Sequence, residues 1–516
     1  MSDNTDDLKA RATKIRSEMG GADRVSRMHE EGRPTIRDHI DAILDEGSFR
    51  ELGTFSRSLR PEDRSSTPGD GKIGGEGTID GRAVAIAGDD VTVKRGSSSV
   101  VGSRKTSRLF HRAMKMGVPY VYFGETGGGR IPDLIGSEGI SDAVPSPDIA
   151  ARRREIPMAT AIVGQSFGGS SFQAAFSDFT VQVRGSVLAV TSPRVFEVAT
   201  GEIIGFEELG GVDVHARTTG QIDLAVDSYE EAYAAIQRWL SYLPSNARAA
   251  APRGELMPAE RWQPDQALAD FVPQRRRRGY DMRKFCAKLL DEGTFFELQP
   301  LFARNLVTGL GRLNGWSVGV IANNPMFKAG VLDPDSCDKA IRLMCLCDAF
   351  NLPIIWLMDV PGFMVGRKVE HDRMLFKAIR MVEALSNLST PTLSVVLRKG
   401  FGLAYQAMNT SGMGAVGFYS WPGAEIGFMD PDVGVNVAYA GRLEDLEGDA
   451  RDAEHTRLIA EIGEATSPYE AAGTMRIDEI IDPADTRRVL AEDLDRLAGR
   501  CIPAPHERPL SYWPTC

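Results

Sequence analysis

The residues best suited to chemistry lie at two glycine turns. Phe167-Gly168-Gly169 follows the apolar run MATAIVGQS and precedes SSFQAAF, and Phe401-Gly402-Leu403-Ala404 follows TLSVVLRKG and precedes YQAM. Each reads as strand, turn, helix. Such a turn presents unpaired backbone N–H groups at a helix N-terminus, where the dipole favours negative charge. Two donors aimed at one carbonyl oxygen form an oxyanion hole and stabilise an enolate. The plainer alternative is a tight junction that needs small residues for packing. Two such turns suggest two carbonyls to polarise, and hence a reaction that joins two carbonyl-bearing substrates.

Other constellations are weaker. Gly164-Gln165-Ser166-Phe167-Gly168 spells GxSxG, the elbow of a serine hydrolase, but Gly400 replaces Ser166 in the second turn and no histidine is placed to activate the hydroxyl. Glu125-Thr-Gly-Gly-Gly-Arg130 could cradle phosphate or simply turn the chain; it lacks the P-loop spacing. Glu125 and Asp359 follow equivalent strands, and acids so placed more often pair with arginine than work as acid and base. The seven histidines show no metal-ligand spacing; no metal is expected, and His215 and His371 are read as structural. Arg275 to Arg278 reads as a solvated charge run. Ala113-Met114-Lys115-Met116 matches the tetrapeptide around a biotinylated lysine. A biotinyl lysine sits on a hairpin turn, however, and Lys115 ends the helical stretch SRKTSRLFHRAMKM, so it is expected to be unmodified.

These residues are positioned by a repeat. Gly77 to Gly81 (GTIDG) matches Gly311 to Gly315 (GRLNG), Val118-Pro119 matches Leu352-Pro353, and Ile156-Pro157 matches Thr390-Pro391, all 234 residues apart. The same offset places Phe167-Gly168 on Phe401-Gly402. Further upstream, ILDEGSF from Ile43 matches LLDEGTF from Leu289. We therefore expect two homologous halves, 1–250 and 275–516, with 251–274 as a Pro/Ala-rich linker. Within each half, short apolar strands alternate with helices, predicting an α/β core wound as a spiral of strand–strand–helix units.

Composition narrows the function class. The 516 residues carry 42% hydrophobic and 25% charged residues and a net charge of −11. That charge argues against nucleic acid as a partner, since phosphate neutralisation needs clustered Lys and Arg. The long uncharged stretches from Ile156 to Ser177 and from Gly400 to Ala424 are broken by Gly, Ser and Gln, so no membrane span is expected. The start, MSDNTDDLKARATKIR, does not read as a signal peptide. The six cysteines include no CxxC pair, which fits reduced thiols and a cytoplasmic location.

Taken together, the segments RVSRMHEEGRPTIRDHIDAILDEGSFREL, AMKMGVPYVYFGETGGGRI, GVLDPDSCDKAIRLMCLCDAFNLPIIWLMDVPGF, LRKGFGLAYQAMN and SPYEAAGTMRIDEIIDPADTRRVL resemble the carboxyltransferase (β) subunit of biotin-dependent acyl-CoA carboxylases, the propionyl-CoA and methylcrotonyl-CoA carboxylase family. The resemblance covers nearly the whole chain. It implies an α/β fold of two crotonase-like subdomains with ββα spiral cores, and a homo-oligomer, by family a hexamer. Acyl-CoA would sit largely on the N-terminal half, with coenzyme A as part of the substrate. Biotin would arrive on a separate carrier chain, from a biotin carboxylase/biotin carrier subunit, through the C-terminal half of a neighbouring protomer. By alignment, the N–H groups of Gly168 and Gly169 would serve the thioester and those of Leu403 and Ala404 would serve biotin. Gly128, Gly402, Gln406 and Asp430 would bind substrate, and Lys94, Arg95 and Ser97 would contact CoA.

The chain departs from the family in three places. Gly402-Leu403-Ala404-Tyr405 stands where GGAY is usual, Met429-Asp430-Pro431-Asp432-Val433-Gly434 where an MGPEGA-like stretch is usual, and Lys94-Arg95-Gly96-Ser97-Ser98-Ser99 where an FGGSLG-like loop is usual. Leu403, Gln406 and Asp430 are expected to line the reacting pocket and set what reacts. Alternative readings are a biotin-independent decarboxylase of malonyl-type acyl-CoAs and a non-catalytic paralogue.

Overall fold

The computed structural model describes residues 2–142, 151, 153–499 and 505–514. The chain divides into two compact units at Ala247/Arg248. Each is built on an eight-stranded sheet of the same topology. In the first unit the strands are β1 (Arg50–Glu51), β2 (Lys72–Ile79), β3 (Arg82–Asp89), β4 (Tyr120–Thr126), β5 (Met158–Phe167), β6 (Phe179–Val183), β7 (Val187–Ala189) and β8 (Leu224–Val226). In the second they are β9 (Phe296–Leu298), β10 (Leu306–Leu313), β11 (Trp316–Asn323), β12 (Ile354–Val360), β13 (Thr392–Phe401), β14 (Gly417–Ser420), β15 (Glu425–Gly427) and β16 (Glu479–Ile480).

The spatial orders are β1-β2-β3-β4-β5-β6-β8, with β7 on β5, and β9-β10-β11-β12-β13-β14-β16, with β15 on β13. The first three strands of each sheet pair antiparallel; the rest are parallel. Gly77 to Gly81 and Gly311 to Gly315 turn the β2–β3 and β10–β11 hairpins. Parallel neighbours need crossovers, and the amphipathic helices Val100–Met116 and Pro334–Ala349 supply the first of these in each unit. Both start at a polar N-cap: Ser99 accepts from the Gly102 N–H, and Asp333 accepts from the Ser336 N–H. Gly117, at φ 65°, ends the earlier one. Lys115 lies in its last turn. Leu109, Phe110 and Ala113 of this helix pack on Tyr120 and Tyr122 of β4.

A shared irregularity bears on the site. The β4–β5 register jumps between Gly124 and Thr126, and the β12–β13 register jumps between Met358 and Val360. Bulges of this kind re-aim side chains next to functional sites. Here they fall just before the two glycine turns.

The 251–274 segment is not a free linker. It belongs to the second unit, where Met257, Leu268 and Val272 join a core containing Phe285, Leu357, Val395 and Leu490. Apolar residues spaced among its prolines provide that anchoring. Among the described residues, no helix is long and apolar enough to cross a membrane, and no group of three His, Cys, Asp or Glu residues could hold a metal ion.

Candidate functional site

In each unit three loops meet at the C-terminal end of the central strands. In the first unit Gly168 takes φ 66°, a left-handed value that glycine adopts without strain, and the helix Gly169–Phe176 starts immediately after it. Ser98 donates its N–H to Gly128 O at 2.8 Å, and Arg130 returns its N–H to Ser98 O at 2.7 Å. A β-carbon on Gly169 would lie 2.6 Å from Ser98 Oγ, so the turn rests against this loop pair. The second unit repeats the arrangement. Leu332 donates to Gly362 O at 3.1 Å, Met364 donates to Leu332 O at 2.7 Å, and the helix Gly402–Ala407 opens beside them. Lys94-Arg95-Gly96 and Lys328-Ala329-Gly330 share the same run of left-handed φ values, a further repeat at the 234-residue offset.

The unpartnered N–H groups fall one residue on from the pair expected at the first turn. Gly168 N–H already donates to Val190 O at 3.2 Å, because the chain leaving β7 runs past the turn. Gly169 and Ser170 N–H, in the first turn of the helix, have no partner among the described residues. They correspond to Leu403 and Ala404, whose N–H groups are likewise unpartnered. Leu403 is 48% exposed and Ala404 is buried.

A buried polar cluster braces the first turn. Asp89, on β3, accepts from Lys72 Nζ and Ser170 Oγ, from Tyr122 OH at 2.8 Å and from Glu125 N–H at 3.0 Å. It thereby ties the helix start to β4. Asp70 does the same for the loops: Arg130 reaches it at 2.6 Å, and Ser99 Oγ and Gly102 N–H also donate to it. Asp70, Lys72 and Asp89 are not legible in the sequence, since buried charge near a strand end looks like solvated charge, and Ser170 reads as an ordinary small residue at a helix start. The 234-residue offset does carry one signal: Lys72 and Asp89 fall on Leu306 and Asn323, and both couples are cross-strand neighbours.

The remaining expected residues are placed as follows. Ser166 is fully buried and its hydroxyl has no partner, so it has neither access nor a base. Its counterpart Gly400 makes room for Tyr405, whose ring would lie 2.6 Å from an added β-carbon. Glu125 pairs with Arg33 and Asp359 with Arg398. Burial pushes both carboxyls up, and each arginine opposes that shift. His215 is buried between Leu188 O and Thr219 Oγ1, and burial lowers its pKa. Gly128 lies in the loop facing Gly168, with an added β-carbon there 3.9 Å from Phe167 Cβ. Lys94 and Arg95 are exposed; Lys94 pairs with Asp63, and Arg95 donates to Gln165 Oε1 at 3.2 Å. Ser97 is buried, with its hydroxyl on Lys94 O at 2.7 Å, which turns it inward to the loop rather than outward to a ligand. Gln406 accepts from Thr410 Oγ1 at 2.7 Å. Asp430 caps the helix Pro431–Ala438 and sits 2.8 Å from Arg276 Nη2. Arg276 is therefore not simply solvated: it also meets Glu425 Oε2 at 2.6 Å.

The carboxyl transferase domain model matches residues 27–506 of this chain. The chain is 37% identical to the carboxyltransferase subunit of propionyl-CoA carboxylase of Haloferax mediterranei, with 97% of each covered. It is 33% identical to the alpha subunit of methylmalonyl-CoA decarboxylase of Veillonella parvula, with 93% of each covered. Its fold superposes on the transcarboxylase 12S subunit, a hexamer solved with methylmalonyl-coenzyme A and methylmalonic acid bound, at TM-score 0.90 and 33% identity over 98% of this chain and 97% of that one. The chain belongs to the carboxyl transferase family of biotin-dependent acyl-CoA carboxylases, a family of transferases with the crotonase-like fold.

Proposed function

We propose that this protein transfers a carboxyl group from carboxybiotin on a separate carrier chain to the α-carbon of an acyl-CoA. The observation that carries this reading is the pair of matching helix starts, each with two unpartnered N–H groups, in a chain of the carboxyl transferase family. Gly169 and Ser170 N–H would receive the thioester oxygen and hold the negative charge that develops when the α-proton leaves. The Ser170 hydroxyl fixed to Asp89 keeps those donors aligned before the substrate arrives, so little reorganisation is needed at the moment of reaction. Leu403 and Ala404 N–H would receive the ureido oxygen of biotin, and backbone donors suit this oxygen whatever side chain stands at 403. Carboxybiotin supplies the carboxyl group and, once that group has left, the base. No side chain at either turn is placed as a base, so the chain contributes position and charge stabilisation.

By analogy with the 12S subunit, the protein would assemble as a hexamer and work with a biotin carboxylase/biotin carrier partner in the cytoplasm. Gly128, Gly402 and Gln406 would bound the substrate. A second reading, decarboxylation of a malonyl-type CoA, draws support from the likeness to the decarboxylase alpha subunit and would use the same first turn. A screen of short acyl-CoAs and malonyl-type CoAs, with and without biotin, separates the two. Isotopic CO2 exchange that requires biotin supports transfer. Release of CO2 without biotin supports decarboxylation.

A further inference from the structure

A cation changes places between the two units. In the first, Arg95 of the Lys94–Gly96 loop donates to Gln165 Oε1 of β5 at 3.2 Å. The matching residues 234 positions on are Ala329 and Lys399. The loop has lost its cation and the strand has gained one, so each unit keeps one positive group at this couple. Gln165 borders an open cavity together with Arg95, Thr126 and Gly127, and Lys399 holds the equivalent place on β13. It lies two residues before Phe401, the end of that strand, and on the same face as Phe401. Glu425 stands opposite it in the parallel pairing, as Gly427 stands opposite Phe401.

Lys399 is 9% exposed, and its ammonium is not sealed from solvent. Among the described residues that ammonium has no hydrogen-bond or ion-pair partner. The carboxylates around it are all held by guanidinium groups: Asp359 by Arg398, Glu425 and Asp430 by Arg276, and Asp432 by Arg277. Counted together these acids and bases balance, so what Lys399 lacks is an acceptor rather than a counter-charge. Burial lowers its pKa; Asp359 and Asp430 oppose that shift, while Arg398 and Arg276 add to it. An ammonium carries three donors, and leaving them unmet inside a protein is costly. We infer that Lys399 binds the carboxylate of the incoming carboxyl donor beside the second turn. Resting on the transfer reading above, that donor is carboxybiotin. Leu403 and Ala404 N–H would hold its ureido oxygen, and Lys399 would hold the carboxylate on the neighbouring nitrogen. The second unit thereby tells loaded from unloaded biotin, and the spent cofactor leaves more readily.

The test measures equilibrium binding of biotin methyl ester and of its N1-carboxylated derivative to the full chain, without acyl-CoA so that nothing turns over. Wild type, Lys399→Met and Lys399→Arg are compared, with acyl-CoA binding and circular dichroism as checks on the fold. One lost hydrogen bond to a charged group weakens binding about 10–100-fold, the loss we expect for the carboxylated ester with Lys399→Met. The uncarboxylated ester should bind that variant as it binds wild type, and Lys399→Arg should recover most of the loss. Packing alone would move both esters together. Equal losses, or no loss for the carboxylated ester, therefore overturn the inference and leave the transfer reading standing. Wild type alone also tests it: the carboxylated ester should bind the tighter of the two, and equal affinities overturn the inference without any variant. Wild type that binds acyl-CoA but neither ester overturns the transfer reading and the role of Lys399 together.

Discussion

The Lys72–Asp89 pair can be exchanged for the solution the protein itself uses in its other half. Both side chains are almost completely buried, at 5% and 0% exposure, and the couple sits cross-strand on β2 and β3. The matching couple in the second sheet is Leu306 and Asn323, where Asn323 accepts the Asp359 N–H at 3.2 Å and donates to Gly330 O at 3.1 Å. Lys72→Leu alone leaves a buried carboxylate, and Asp89→Asn alone leaves a buried ammonium with no counter-charge, held by Gly96 O and a neutral amide. Breaking a buried pair from one side costs about 3–5 kcal/mol. For a unit of this size, that lowers its unfolding temperature by about 6–20 °C. In the double variant the amide introduced by Asp89→Asn can take the Glu125 N–H and donate to Gly96 O, as Asn323 does for its own neighbours. We expect the double variant within about 4 °C of wild type, a strongly non-additive result. Scanning calorimetry of the full chain measures all four proteins. If the double variant loses the sum of the two single losses, the ion pair is not the coupled unit described here, and the equivalence of the two couples carries no energetic meaning.

Two other outcomes follow from single residues. His39 is buried, stacks on Phe123 with ring centroids 5.1 Å apart and shares a 2.6 Å hydrogen bond with Tyr233 OH; burial pulls its pKa from 6.5 down to about 4. Between those values the unfolded chain takes up a proton that the folded chain refuses, so stability present above pH 6.5 falls by about 3 kcal/mol as the pH drops to 4. Denaturation across that range should show a slope that His39→Gln removes, and an NMR titration of His39 with a midpoint near 6.5 contradicts it. Lys115 ends a helix rather than crowning a hairpin, so intact mass after co-expression with a biotin ligase should show no biotin addition; modification at Lys115 refutes this.

Much of the fold is legible because the chain is duplicated. A constant offset ties Gly77 to Gly81 to its β-hairpin partner, Val118-Pro119 to the start of a central strand, and Phe167-Gly168 to its second copy. The offset survives because β2 to β5 and β10 to β13 keep equal lengths. What stays hidden depends on contacts made far along the chain. Nothing local to Gly168 announces that the exit of β7 will take its N–H. Arg276 reads as one of four solvated arginines until Glu425 and Asp430, some 150 residues on, come beside it. The prolines of 251–274 suggest a linker, whereas Met257, Leu268 and Val272 are what anchor it. The Lys94-Arg95-Gly96 loop repeats at the same offset, but it is held by backbone angles rather than by apolar pattern, so nothing in the hydrophobic pattern marks it.

The central claim is that the two helix starts serve two different carbonyls, and backbone donors are removed by proline, which the first turn of a helix tolerates. Because a β-carbon at 169 also presses on Ser98 Oγ, Gly169→Ala, which keeps the N–H, is the control for that contact. Transfer of labelled carboxyl from carboxybiotin to a short acyl-CoA should be measured for wild type, Gly169→Pro and Ala404→Pro, with acyl-CoA binding measured in parallel and circular dichroism confirming the fold. Loss of one oxyanion donor typically lowers the rate about 10²–10³-fold. We expect Gly169→Pro to lower acyl-CoA turnover by at least that factor, and Ala404→Pro to keep acyl-CoA affinity while transfer falls by that factor. A natively folded Ala404→Pro that transfers carboxyl at the wild-type rate would contradict the assignment of separate holes to the two turns.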